Sequence, residues 1–266
     1  MAPDLSVDHD MSIRVHNAHT MECDIRDSNL LSALSESDQQ LLLPHLKPVY
    51  FDLGNILHEP GDEVRVAYFP CGPTLISFMV LLPDGSGVET ALVGREGVVG
   101  GIVSQGYVPA YFRAIVQYPG PAWSISLEDL EQANMQSVSL RHFFSRYTDC
   151  LLAQILQSVA CNASHSIEQR TANWLLAVLD RTGEHVLPLT QEQIAGMLGV
   201  GRSYVGRVMG VLKSRGIVQT LRGKLRINNM KELKHISCGC NEKVRQHFDA
   251  MLADIYPHET SDTVEA

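Results

Sequence analysis

The chain has 266 residues, 45% hydrophobic and 19% charged, enough for about two packed domains at ~150 residues each. Its 21 Lys and Arg against 30 Asp and Glu give a formal charge of −9, which argues against a protein that coats nucleic acid or an anionic membrane over its whole surface. The longest near-continuous apolar run, Leu75–Leu82, falls short of the ~20 residues that span a bilayer, and the acidic start MAPDLSVDHD has no apolar core. No membrane partner and no signal peptide are expected. The six cysteines therefore read as thiols in a reducing, cytoplasmic setting rather than as a disulfide framework.

In chain order, residues 1–25 are polar and carry His9, His16, His19 and Cys23 without an apolar period. They read as a disordered arm, not a metal site. Residues 1–121 hold 10 Pro and 11 Gly, residues 122–182 hold neither, and residues 183–266 hold 2 Pro and 9 Gly. Because these residues punctuate turns and break helices, the chain divides into a turn-rich first part, a helical middle and a mixed third part. Leu30, Leu31, Leu34, Leu41, Leu42 and Leu46 suit one or two short helices, with Ser35–Asp38 as a capping cluster between them. From Val49 to about Ser126, short apolar runs separated by turn signals predict an antiparallel β sandwich or roll. Asp84–Gly87 marks a hairpin tip between Leu75–Leu82 and Val88–Val93.

Residues 127–161 place Leu140, Phe144, Tyr147, Leu151, Ile155 and Val159 on one helical stripe, widened by Phe143, Leu152 and Leu156. A stripe that wide predicts a helix covered on two sides, by its own domain and by a second copy of the chain. Burial within one chain is the alternative. A further helix starts at Ser166, with Gln169 at the capping-box position, presents Ile167, Trp174, Leu175, Val178 and Leu179, and ends at Arg181–Gly183.

Leu189–Arg226 is the most informative segment. Thr190 is an N-cap with Gln193 three residues on, and apolar residues follow at Ile194, Leu198, Val200, Val205, Val208 and Leu212. Ala195 sits where a second helix must come close, and Gly199 where the chain must turn. Two short helices in this register make a helix-turn-helix, the second beginning near Gly201 and presenting Arg202, Ser203, Tyr204, Gly206 and Arg207 outward. Such a helix enters the major groove, where Arg can hold guanine with two parallel bonds. Between residues 200 and 235 nine Lys and Arg face one acid, Glu232, so positive charge is concentrated where a phosphate footprint needs it. Ile217–Gln219 and Leu225–Ile227 predict two short strands around Arg222-Gly223-Lys224, a wing whose tip would lie on the phosphate backbone. Val244, Phe248, Met251, Leu252 and Ile255 predict one more amphipathic helix, packed on its own chain.

Other motifs fail. Gly199-Val200-Gly201 lacks the third glycine of a dinucleotide loop, and no phosphate loop, zinc-protease motif or nucleophile elbow is present. With no nucleophile–base set, an enzyme is not predicted. Cys150 and Cys161 read as buried small hydrophobes. Cys238-Gly239-Cys240 has one intervening residue, fewer than the usual two to four of zinc pairs. These two are candidate redox thiols, while no metal ligand set and no cofactor is predicted.

A β roll, a long helix and a winged helix-turn-helix together resemble the Crp–Fnr family of bacterial transcription regulators, over about residues 28–237. The resemblance rests on Leu57-His58-Glu59-Pro60-Gly61-Asp62, on Gly94-Arg95-Glu96-Gly97-Val98-Val99-Gly100 at the effector pocket, and on Leu189 through Arg207. It implies an α+β chain: a disordered arm at 1–25, a cyclic-nucleotide-binding-like roll at 26–135, and a dimerisation helix with hinge at 136–165. A winged helix-turn-helix at 166–237 and a tail with a short helix at 238–266 complete it. It implies base reading by Arg202, Ser203 and Arg207, phosphate contacts from Thr190 and Gln191, to which the groove geometry adds Tyr204, Arg222 and Lys224, and a hinge at Ser164 and Ser166. The cyclic-AMP pocket is not kept. Gly100-Gly101 and Val108-Pro109 stand where the family places its ribose and phosphate ligands, so the carboxylate, cation and hydroxyl are missing, and cyclic AMP is not expected in the usual mode. The implied function is a homodimeric regulator of transcription on a palindromic operator, with double-stranded DNA and RNA polymerase as partners and an unknown effector. A small-molecule-binding module with a vestigial DNA domain is the alternative.

Overall fold

The computed structural model describes residues 23–102, 106, 108–253 and 255–256. Residues 1–22 of the expected arm lie outside these, as do residues 103–105 and 107 of the segment aligned with the phosphate ligands. The arm reading does not extend to Cys23. Its thiol is buried against Cys71, and Asp24 caps a short 3-10 turn, Ile25–Asp27. A small apolar side chain packed beside the roll does not remain in a solvated tail.

Two short helices follow, α1 (Asn29–Ser32) and α2 (Glu36–Leu42), with the Ser35 hydroxyl accepting the Asp38 N–H as expected of the capping cluster. The roll is two antiparallel sheets. One has the order β1 (Lys47–Phe51), β7 (Gly120–Ser126), β3 (Val66–Pro70). The other has the order β2 (Ile56–His58), β6 (Arg113–Tyr118), β4 (Leu75–Leu81), β5 (Gly87–Val93). The β4–β5 hairpin turns at Asp84–Ser86, where the Asp84 carboxylate accepts the Ser86 N–H at 2.9 Å.

Leu75–Phe78 is buried on both faces, which explains why this strand reads as a continuous apolar run and not as an alternating one. Ile76, Phe78 and Val93 point into the roll. Leu75 and Leu92 instead join the core of the C-terminal domain, which is packed on the outside of this sheet.

The helical middle is two helices, not one. α3 (Leu127–Gln136) ends at Ser137, and α4 (Val138–Ser164) begins there. The Ser137 hydroxyl accepts the Leu140 N–H and donates to the Asp38 carboxylate at 2.6 Å, so one serine both caps α4 and ties it to α2. Along α4, Leu140, Phe144 and Tyr147 are buried, Leu151 and Ile155 lie against the roll, and Leu152, Leu156 and Val159 are exposed at 53, 62 and 64%.

The chain then straightens at His165 and enters α5 (Ile167–Thr182), with the Ser166–Gln169 capping box in place and Gly183 closing the helix. β8 (Val186–Leu187), α6 (Gln191–Leu198), α7 (Arg202–Ser214), β9 (Val218–Leu221) and β10 (Lys224–Ile227) complete a winged helix-turn-helix with sheet order β8-β10-β9. α8 (Met230–Ile236), not read in the sequence, leads to α9 (Cys240–Met251). α9 lies along α4, and its Val244 and Phe248 are buried there with Leu252 and Ile255. The tail is therefore covered by its own chain, as expected.

Candidate nucleic-acid interface

The helix-turn-helix follows from local chemistry. The Thr190 hydroxyl accepts the Gln193 N–H, and the Gln193 side chain accepts the Thr190 N–H in return, so two orphan donors at the start of α6 are satisfied. Gly199 closes α6 in the left-handed conformation, φ +64°, which a side chain would strain. Ile194, Leu198, Val205, Val208 and Leu212 are buried between the helices, and Ala195 is buried at their crossing. This leaves Arg202, Ser203, Tyr204 and Arg207 exposed on the first two turns of α7.

These side chains form one surface with the wing. Thr190, Gln191, Arg202, Gly223 and Lys224 line a cleft of about 190 Å³ between the start of α6, α7 and the β9–β10 turn. Arg207 stacks on Tyr204 with its guanidinium carbon 4.9 Å from the ring centroid, which pre-orients it at the helix surface. Arg222 and Lys224 are exposed at and beside the wing tip. One partner went unread in the sequence. Glu192 of α6 pairs with Arg202 at 3.2 Å. Both side chains are over 70% exposed, so the pair holds Arg202 weakly and is easily exchanged for another acceptor.

A family profile described as a Crp-like helix-turn-helix domain matches residues 169–236, from the first turn of α5 to the end of α8. That segment matches as a Crp-like helix-turn-helix domain. A transcriptional regulator of the Crp/Fnr family from Eubacterium rectale superposes with a TM-score of 0.60 at 18% identity, over 78% of this chain and 96% of that one. FixK2 from Bradyrhizobium japonicum gives 0.60 at 17% identity, over 73% and 98%. CLP, the c-di-GMP responsive global regulator of Xanthomonas campestris, gives 0.60 at 15% identity, over 73% and 100%. No curated protein sequence matches the chain. At these identities the structures share the fold. Among the described residues no helix is long and apolar enough to cross a membrane.

The Gly94–Gly100 segment, which the resemblance puts at the effector pocket, is engaged elsewhere. Glu96 is buried against Arg181 of α5, and the Arg181 Nε donates to its carboxylate at 2.8 Å. Arg113 of β6 pairs with Glu59 at 2.8 Å. A second buried carboxylate, Glu89 of β5, accepts the Trp174 indole N–H at 2.6 Å and the Ser77 hydroxyl. Burial pushes its pKa up to about 7, against the lowering pull of those two bonds. The roll thus grips α5 through two acids. The sequence carries a trace of this: Arg181 lies seven residues after Trp174, on the apolar face of α5.

Ser164 ends α4 and Ser166 caps α5, both exposed, with His165 extended between them. Cys238 and Cys240 do not stand apart as a pair. They face Cys161 and His165 at this hinge, and the four ligand atoms lie within 4.8 Å of one another. No ligand set is read from the sequence, and the fold brings these four side chains together. One intervening residue suffices because Gly239 adopts φ +71°, which brings the two flanking cysteines to the same side.

Proposed function

We propose that the chain is a homodimeric, sequence-specific DNA-binding regulator of transcription. It would act on a palindromic operator whose half-sites lie about one helical turn apart, ~34 Å. The observation that carries this reading is the exposed set Arg202, Ser203, Tyr204 and Arg207 on the first two turns of α7, beside a cationic wing. Arg202, Ser203 and Arg207 read base edges, and Thr190, Gln191, Tyr204, Arg222 and Lys224 hold phosphates. The exposed Leu152, Leu156 and Val159 of α4 supply the seam between two copies. Ser164 and Ser166 bound the hinge through which the roll biases the DNA-binding domain. RNA polymerase is the further partner. Cyclic AMP in the family's usual mode is not the effector.

The test is selection of binding sites from a random duplex library, with wild type compared to Arg202→Ala/Arg207→Ala. A palindrome enriched by the wild type and lost in the double variant supports the reading. Absence of enrichment, with or without reductant and with added cell extract, would favour a small-molecule-binding module with an idle DNA domain.

A further inference from the structure

We propose that Cys161, His165, Cys238 and Cys240 bind one Zn2+ ion, which clamps both ends of the DNA-binding domain to the end of α4.

The distances match a tetrahedral site. Zn–S near 2.3 Å and Zn–N near 2.0–2.1 Å set an S···S edge of about 3.8 Å and an S···N edge of about 3.6 Å. The Cys161 and Cys238 sulfurs are 3.5 Å apart, and the Cys240 sulfur is 3.6 Å from His165 Nδ1. All four ligand atoms fit within 4.8 Å, as a single ion requires. An iron–sulfur cluster spreads its ligands over several irons and needs a wider set. A Cys161–Cys238 disulfide would need the sulfurs to close to about 2.05 Å and would leave His165 and Cys240 without a role.

The backbone is shaped for convergence. The His165 N–H caps α4 by bonding the Cys161 carbonyl at 3.1 Å, so the two side chains share the last turn of that helix. Gly239 in the left-handed region turns Cys238 toward Cys240 at the start of α9, a twelve-residue helix whose N-terminus favours a thiolate. Outside the four ligands, the Gln157 side-chain amide donates to the Cys240 sulfur at 3.2 Å, the kind of support metal thiolates receive. A divalent ion would take up three thiolates and release their protons to solvent, with His165 neutral and its proton on Nε2. His165 and Cys238 are partly exposed, which gives the ion a way in.

The placement gives the site its consequence. His165 immediately precedes the winged domain and Cys238 immediately follows it. One ion would therefore close the chain around residues 166–237 and fix that domain to the helix that bears the dimer seam.

Titration of the reduced, metal-free full chain with Co2+ tests it. One Co2+ should bind per chain, with the intense visible bands of a tetrahedral ion and sulfur-to-cobalt charge transfer, and Zn2+ should displace it. Cys161→Ser/Cys238→Ser should abolish the bands, while Cys71→Ala and Cys150→Ala, away from the site, should keep them. Because the serine variant can fail to fold, His165→Cys provides a second arm: four sulfurs should retain the ion and strengthen the charge-transfer band by about a third, in proportion to the added thiolate. Any of three results would overturn the proposal: no stoichiometric Co2+ or Zn2+ in the wild type, an octahedral spectrum without charge transfer, or bands that survive Cys161→Ser/Cys238→Ser. So would a purified chain whose Cys161 and Cys238 form a disulfide that zinc does not suppress.

Discussion

Arg181 is 1% exposed on a helix face that is otherwise apolar, and it holds three parts of the chain at once. Its guanidinium donates to Glu96 in the roll, to the Gln154 side chain on α4 at 3.4 Å and to the Tyr256 hydroxyl at 3.1 Å. Removing one partner of a buried pair strands the other, at a cost of about 3–5 kcal/mol. Arg181→Met should lower the stability measured by urea unfolding by that order, and Glu96→Leu added to it should recover part of the loss. A single variant within 1 kcal/mol of wild type would sink the assignment. Glu89 makes a different prediction. Its pKa rises from 4.5 to about 7 on folding, so the folded chain keeps a proton that the unfolded chain releases. The protonated form's advantage is fully present below pH 4.5 and is lost as pH rises through about 7. A shift of this size is worth on the order of 3 kcal/mol. Stability of the wild type should therefore fall from pH 5 to pH 8. Glu89→Gln, whose amide can still meet Trp174 and Ser77, should flatten that part of the profile. An unchanged profile in the variant would refute the titration of Glu89.

At the scale of elements, α4 carries the next prediction. Its first half is buried in its own domain, while Leu152, Leu156 and Val159 remain exposed on the half that leads to the hinge. Such a stripe is costly in water and is covered when two helices meet side by side. Leu152→Glu/Leu156→Glu should convert a dimer to a monomer in sedimentation equilibrium, with helix content unchanged by circular dichroism. A wild type already monomeric at micromolar concentration would remove the seam. The elements themselves were legible wherever the signal is local. Ser35, Ser166 and Thr190 cap the helices they announced, Gly199 turns where a turn was needed, and the Arg222–Lys224 wing folds back as expected. What stayed illegible depends on residues far apart in the chain. The break at Ser137 is fixed by Asp38, the run Leu75–Phe78 is covered by the C-terminal domain, and Glu96 answers Arg181. Cys161 and His165 meet Cys238 and Cys240 across a whole domain, so their spacing along the chain gave no ligand pattern. The 3.6-residue period reports one helix face and cannot name what covers it.

For the whole molecule, the distribution of charge matters more than its sum. Nine cations and one acid between residues 200 and 235 sit inside a chain of net −9, so the remainder is strongly acidic. An acidic body repels duplex DNA except where the winged domain faces it, which restricts contact to one orientation and suppresses non-specific coating. Within that face the proposed labour is divided: α7 chooses sequence, and the wing supplies phosphate contacts. Arg222→Ala/Lys224→Ala would remove four cations from a dimer bound to both half-sites. With a salt slope of about −0.9 per phosphate contact, the logarithm of affinity against the logarithm of salt should become shallower by about 3.6 if all four are engaged. The same operator should still be selected, because the proposed division leaves base reading to α7. A variant that binds as tightly as wild type at every salt concentration would take the wing off the DNA. A changed operator preference would instead make the wing a reader of sequence.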